Sequence, residues 1–307
     1  MTKLWRLDDD AELRRAAMDW LAARTSDGQE TIDRQTLSDF EFRGQRIPLV
    51  DPQRGIRKPA HLESALSIVT TYRPDGAARP YEDGLRPDGC ITYKWRGTDP
   101  FHPENRALRR AMELHQPLIW FMGVGPGLFI PVFPVYLMEE NEKDHEFVVT
   151  VAETGELSVP IVTDSPYERK YRLQLVKQRV HQPVFAATVM RAYETRCAVC
   201  SLRHRELLDA AHIIDDADPG GVASVRNGLA LCKIHHAAFD RQILGIRPDY
   251  AVEIRFDLLH EIDGPMLRHG LQEHHGQPLM MVPRIKRERP DPEFLDQKYQ
   301  SFLAATA

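Results

Sequence analysis

The sequence contains no apolar run of the ~18 residues that a membrane-spanning helix needs. Its opening, MTKLWRLDDD, turns acidic where a secretory leader would be basic and then apolar, so the cytosol is the expected compartment. Cysteine is scarce, with four in 307 residues. Three of them cluster and Cys90 stands alone, so no disulfide framework is expected. There is no Walker or dinucleotide-binding fingerprint. The GVGPG at 123–127 lacks the following Lys-Ser or Lys-Thr and leads into a strand-like run, so it is expected to be a hairpin connection. ATP-driven chemistry is therefore not expected. Internal repeats and low-complexity segments are also missing.

Nor is there an overall excess of positive charge: the formal net charge is −5. Its distribution is uneven. Residues 1–160 hold 20 basic and 26 acidic side chains, and residues 161–307 hold 20 and 19. Within 165–205 nine Lys or Arg face two Glu, a local surplus that can neutralise phosphates on an otherwise acidic protein. A second basic run contains Arg284, Lys286, Arg287 and Arg289. Hydrophobic residues make up 42% and charged residues 28%, which fits a soluble chain long enough for two domains with cores of their own.

What the sequence does carry is concentrated between Cys197 and Asp240. Cys197 and Cys200 form one C-x2-C knuckle, and Cys232 with His235 forms a second after 31 intervening residues. Together they offer three thiolates and an imidazole, a tetrahedral set for a structural Zn2+. Beside them stand His212, Asn227 and His236, which a scaffold zinc does not require. His236 follows His235 directly, so on a helix it points about 100° away from its neighbour and can face a different site.

This segment resembles the HNH nuclease family, over roughly residues 180–250, through the knuckle spacing, the AHI at 211–213, the NGL at 227–229 and the paired His235 and His236. The resemblance implies a ββα-metal fold, with the first His on a β-hairpin and the last on the helix that follows. It also implies hydrolysis of phosphodiesters with a divalent ion, Mg2+ or Mn2+. In that scheme His212 is the general base, Asn227 orients the base or the hairpin or offers its carbonyl oxygen to the metal, and His236 is a metal ligand. Many family members carry Asp or His immediately before the base, whereas Ala211 stands here. Asp209 shares a strand face with Ala211, and Asp240 lies one helical turn after His236, so either could supply the missing carboxylate.

Elsewhere the reading is coarser. Residues 8–24 have a helical stripe of Leu13, Ala16, Ala17, Trp20 and Leu21, with Asp9 expected to cap and Glu12 to complete a capping box. ALSIVTTY, ITYKW, PLIWFMGV, LFIPVFPVYL and EFVVTV read as strands between about 40 and 150, interrupted by a helix at 103–115. Pro160 to Pro166 reads as a linker, 167–194 as helical with a break at Pro183, and the tail as a strand at 251–256 with helices near 256–262 and 292–304.

The N-terminal β-rich region, with its DG turns at 83–84 and 88–89 and its ITYKW strand, looks like the SRA and wider PUA-like reader domains. The resemblance implies a pocket for a modified base swung out of a DNA duplex. Tyr81, Tyr93, Trp95 and Trp120 are the candidate stacking faces, with Trp120 leaning towards the core. Asp83, Asp88 and Asp99 are candidate edge contacts, and Arg96, Arg106 and Arg109 candidate phosphate contacts.

The expected fold is therefore α+β: a β-rich SRA/PUA-like domain over 1–160, then a basic helical linker and zinc-containing HNH domain over 161–307. The expected partner is double-stranded DNA, probed in modified form, with no membrane involvement. Because one such site cuts one strand, a homodimer is a further expectation. Two alternatives stay open: an HNH nuclease whose first half reads unmodified DNA or another signal, and a zinc-stabilised DNA-binding module without catalysis.

Overall fold

The apolar stripe at the start of the chain forms helix α1 (Leu7–Arg24), which buries Leu13, Ala17 and Leu21 completely. The expected cap does not form. The helix starts earlier, on Arg6, which makes no side-chain cap bond, and Asp9 and Glu12 instead bind Arg43 at 2.6 and 2.5 Å. Asp8, Asp9 and Asp10 all lie in the first turn, where negative charge suits the positive end of the helix dipole. Arg14 is also buried, paired with Asp10 at 2.8 Å and donating to Ser64 Oγ and to the carbonyls of Ala65 and Pro117. A guanidinium can be buried there because its donors are engaged.

The computed structural model describes residues 5–72, 90–152, 165–215, 218, 221 and 223–306. Two compact units are found, Met1–Val184 and Phe185–Ala307. Their boundary lies inside a helical stretch, 24 residues beyond the break expected after residue 160, because helical residues run from Pro166 to Ala192. Of the expected linker, residues 160–164 lie outside the described residues.

In the first unit, β1 (Ile32–Asp33), α2 (Arg34–Ser38), β2 (Glu41–Phe42) and β3 (Gln45–Arg46) lead to β4 (Ile56–Arg57) and β5 (Ser67–Thr70). After these come β6 (Ile91–Lys94), α3 (Pro103–Glu113), β7 (Leu118–Gly125), β8 (Leu128–Asn141) and β9 (Glu146–Val151). The five strand segments and the helix at 103–115 are thus present as expected. The sheet order is β4-β5-β7-β8-β9-β6, with β1 added to β8. All pairs are antiparallel except β5 with β7. That parallel pair needs a long crossover, and the segment containing β6 and α3 provides it. β7 and β8 read as continuous apolar runs because nearly every residue in them is buried. The GVGPG segment does turn β7 into β8, with Gly127 at φ +67°.

β4 and β6 end the hydrogen-bonded order, yet the Tyr93 hydroxyl on β6 donates to the carbonyls of Gly55 and Val69 at 3.2 and 3.3 Å. The sheet therefore curls until its two ends meet around a cleft. The core on the other side packs α1 against Phe40, Leu49, Ile119, Phe121 and Phe133.

Pro183 does not break the helix that spans α4 (Pro166–Val176) and α5 (Gln182–Ala192). Residues Lys177–His181 between them widen into a π turn, and the Gln182 N–H donates to Lys177 O, five residues back. A proline cannot donate to the preceding turn, and the wider turn accommodates that loss without ending the helix. The second unit continues with β10 (Leu208–His212), β11 (Gly228–Cys232), α6 (Lys233–Asp240), β12 (Leu244–Ile246) and β13 (Val252–Ile254). Short helices α7 (Phe256–Leu259) and α8 (Pro265–Gly270) precede α9 (Pro292–Thr306). Its core gathers Tyr193, Leu208, Ala211, Leu229, Leu231 and Phe239 beneath the β10–β11 hairpin. Among the described residues, no helix is long and apolar enough to cross a membrane.

Candidate active site and metal centre

The two knuckles meet as the spacing requires. Cys197, Cys200, Cys232 and His235 place their ligand atoms within 4.8 Å of one another, and no other such group of three or more occurs among the described residues. The Cys200 and Cys232 sulfurs are 4.0 Å apart, and His235 Nδ1 lies 3.4 Å from Cys197 Sγ and 3.1 Å from Cys232 Sγ. A tetrahedral site with ~2.3 Å zinc–sulfur bonds has sulfur–sulfur edges of about 3.8 Å, so the residues fit the ion. Hydrogen bonding with Cys197 pushes the Cys200 thiol up and the Cys232 thiol down, so the bare sulfurs must share protons. A divalent cation removes that conflict. His235 turns its other nitrogen, Nε2, to the Gly270 carbonyl at 2.7 Å, which leaves Nδ1 for the metal. Gly270 had no signal in the sequence, because a backbone carbonyl has no residue type to betray it.

The hairpin pairs His212 with Gly228 and Leu208 with Cys232, so one end of it carries the candidate base and the other a zinc ligand. A Cβ on Gly228 would come within 2.4 Å of Val189 Cγ2 and 3.1 Å of the Phe185 ring. The missing side chain lets α5 lie close to the hairpin. As a result the Phe185 ring stacks on the His212 imidazole, with centroids 3.9 Å apart and planes 10° from parallel. The Tyr193 hydroxyl, just beyond α5, donates to the Gly228 carbonyl at 3.2 Å and fixes the same contact. Gly228→Ala is therefore expected to cost about 1–3 kcal/mol through overpacking. Denaturant unfolding would detect it, and an unchanged midpoint would show that α5 yields freely.

Asn227 is fully buried. Its Oδ1 accepts from the Ile214 N–H at 2.8 Å and its Nδ2 donates to the Ile214 carbonyl at 2.9 Å, while its own carbonyl accepts from Ile213 N–H. Of the roles open to it, this geometry is that of a clamp on the chain just after His212, with the amide oxygen turned to the backbone.

On α6, His235 faces the cysteines and His236 faces two carboxylates, as the 100° offset requires. His236 Nδ1 lies 3.1 Å from Asp209 Oδ2, and Nε2 lies 3.4 Å from Asp240 Oδ2. The expected trio of Asp209, His236 and Asp240 is thus brought together. The carboxylates, however, sit at opposite nitrogens of one ring, so they are alternatives for an ion held by His236. The Asp209 pair fits better: octahedral Mg2+ with ~2.1 Å bonds has adjacent ligands about 3 Å apart. Asp209 also binds Lys233 Nζ at 2.5 Å. Burial pushes the Asp209 carboxyl upward, but hydrogen bonds from Lys233 and His236 outweigh it and leave the pKa below the ordinary value. Lys233 went unnoticed in the sequence because nothing in a helix period relates it to a strand residue.

The first unit rearranges the expected reader residues. Tyr93, Trp95, Arg96 and Trp120 all line one cleft of about 530 Å³. Trp120 is core, 1% exposed, as expected, and bonds Thr70 Oγ1. Trp95 is no open stacking platform: only 7% exposed, it packs on His145 and Phe147. Arg109 is held by both oxygens of Glu140, and Asp99 caps a local turn at Phe101, so neither is free for DNA. Tyr81, Asp83 and Asp88 lie outside the described residues. The basic stretch is also thinner than its count, since Arg179 pairs with Asp27 and Arg191 with Glu288. In the second run, Arg284 pairs with Glu194.

Residues 197–247 match the family model HNH_2, HNH endonuclease. The second unit carries an HNH endonuclease domain. No curated protein matches the chain. Among solved structures, the modification-dependent TagI restriction endonuclease is 20% identical, with 81% of this chain and 85% of that one covered and a TM-score of 0.31. The Type IV phosphorothioation-dependent restriction endonuclease ScoMcrA is 14% identical, with 61% and 48% covered and a TM-score of 0.21, so the chain spans about half of that protein. The SRA/PUA-like character of the first unit and the homodimer find no support in these matches. The matched residues include the β10–β11 hairpin, α6 and both histidines on that helix.

Proposed function

We propose that this chain is a divalent-metal-dependent DNA endonuclease of the restriction or defence type, acting in the cytosol, in which the HNH domain cuts and the first unit reads a modified base. The observation that carries the reading is His236 set between Asp209 and Asp240 on the same short helix that gives His235 to the cysteines. A scaffold zinc needs His235 alone. His236 and Asp209 would hold Mg2+ or Mn2+, whose charge stabilises the phosphate and the leaving oxygen when bound. His212 takes the proton of the attacking water, a general-base role to which an imidazole is suited. Asn227 holds the strand end that presents it, and Phe185 fixes the ring plane. Lys233 neutralises Asp209 until substrate and ion arrive.

The experiment is plasmid nicking by the full chain with Mg2+ or Mn2+, on DNA with and without cytosine methylation, hydroxymethylation, adenine methylation or phosphorothioation. Metal-dependent nicking enriched on one modified plasmid is the expected result. Equal nicking of every plasmid would leave a nuclease without a modification reader. Binding with no nicking under either metal would make the chain a zinc-stabilised DNA-binding module.

A further inference from the structure

Two residues that line the cleft of the first unit each carry a polar atom that the fold itself does not satisfy. Trp95 and Glu104, 7% and 8% exposed, both line it. Among the described residues, Trp95 Nε1 and Glu104 Oε2 are buried without a hydrogen-bond partner. Leaving such groups unmet is costly, and folded proteins rarely tolerate it without a ligand or another use for the site. The two differ in kind. An indole N–H only donates, and an ionised carboxylate only accepts. Glu104 Oε1 faces Arg54 at 3.7 Å, so one oxygen is anchored by a cation and the other is spare. The torsion that turns a Glu carboxylate is soft, which lets the spare oxygen follow a ligand.

The surroundings suit a nucleotide. Tyr93 stands at the cleft wall, held edge-on to Trp120 with centroids 5.7 Å apart and tied by its hydroxyl to Gly55 and Val69. Arg34, Arg54 and Arg96 lie at the same cleft, and Arg96 is exposed. A volume of about 530 Å³ lies within the ~300–1,000 Å³ of small-ligand sites.

We infer that Glu104 and Trp95 form the base-reading pair of this cleft, selecting an extrahelical base whose edge sets an amino N–H beside a ring-nitrogen lone pair, as in cytosine or adenine. The inference rests on the reader reading above. Glu104 accepts from the amino group and Trp95 donates to the ring nitrogen. A keto base would turn a carbonyl oxygen towards a carboxylate oxygen and is rejected.

The test measures binding of the full chain to duplexes that differ at one base, amino in one member and keto in the other: 5-methylcytosine against thymine opposite guanine, and adenine against hypoxanthine opposite thymine. The wild-type protein is expected to favour the amino member of at least one pair. Glu104→Gln, which keeps the shape and can donate to a carbonyl, should shrink that ratio by roughly 10-fold or more. Trp95→Phe, which keeps an aromatic ring and removes the donor, should weaken binding of the preferred duplex. Should Trp95→Phe melt early, Glu104→Gln alone decides. An amino-to-keto ratio unchanged in a folded Glu104→Gln overturns this inference and leaves the reader reading standing, whereas a wild-type preference confined to phosphorothioate DNA, which is altered in the backbone and not in a base, overturns both. Equal wild-type binding to all modified and unmodified duplexes overturns both.

Discussion

Removal of the metal from the cysteine cluster is expected to unfold most of the unit Phe185–Ala307 while Met1–Val184 keeps its structure. The hairpin, the first knuckle and α6 are joined through those four side chains: Cys197 precedes β10, Cys232 ends β11, and His235 lies on α6. Two five-residue strands and an eight-residue helix are too small to be stable without help. Structural zinc contributes about 10–16 kcal/mol in finger peptides at neutral pH, as much as the whole stability of an ordinary domain at about 5–15 kcal/mol. Elemental analysis of the purified chain should give about one zinc per molecule. Exhaustive chelation, or Cys232→Ser, should open the second unit to proteolysis and abolish nicking. Acid works in the same direction, because protons compete for the thiolates and His235. Less than half an equivalent of bound zinc would count against the site, and so would a chelated second unit that resists protease as well as before.

His212→Ala should lower strand cleavage by roughly 10²- to 10⁴-fold, the usual cost of losing a general base. Its contacts make the distinction between chemistry and folding sharp. His212 stacks on Phe185 at the edge of the core, so the truncation leaves a gap there, and a purely structural role would lower the melting temperature and the activity together. His212→Gln fills much of that gap and should remain as inactive as the alanine variant. Added imidazole should restore part of the activity to His212→Ala if the missing group is a base. Both variants should still bind DNA. Full cleavage by a folded His212→Ala would remove the assignment.

The metal centre was legible in the sequence because knuckle spacing is a local property. Two ligands three or four residues apart must converge, whatever the rest of the chain does. The separation of His235 from His236 was equally legible, since the turn of a helix alone directs neighbours to different sides. Strand segments such as PLIWFMGV could be recognised because burial on both faces leaves a continuous apolar run. Other features depended on residues far apart in the chain. The stripe of α1 did not reveal that Arg14 would be buried, because its acceptors at Ser64, Ala65 and Pro117 arrive from other loops. Pro183 signalled a break, and the structure widened one turn instead.

The same division runs through the candidate sites. Residue type and spacing selected His212, Asn227, His236, Asp209 and Asp240, but only the folded unit set the two carboxylates at opposite nitrogens of His236 and brought Lys233 to Asp209. Likewise, composition made Tyr93 and Trp95 candidates, while packing on His145 and Phe147 buried the Trp95 face and the fold set Glu104 of α3 at the same cleft. The physical reason is range. Periodicity and ligand spacing follow from covalent geometry over a few residues and can be read from the chain, whereas which polar atoms are satisfied depends on contacts between elements that only the packed core brings together.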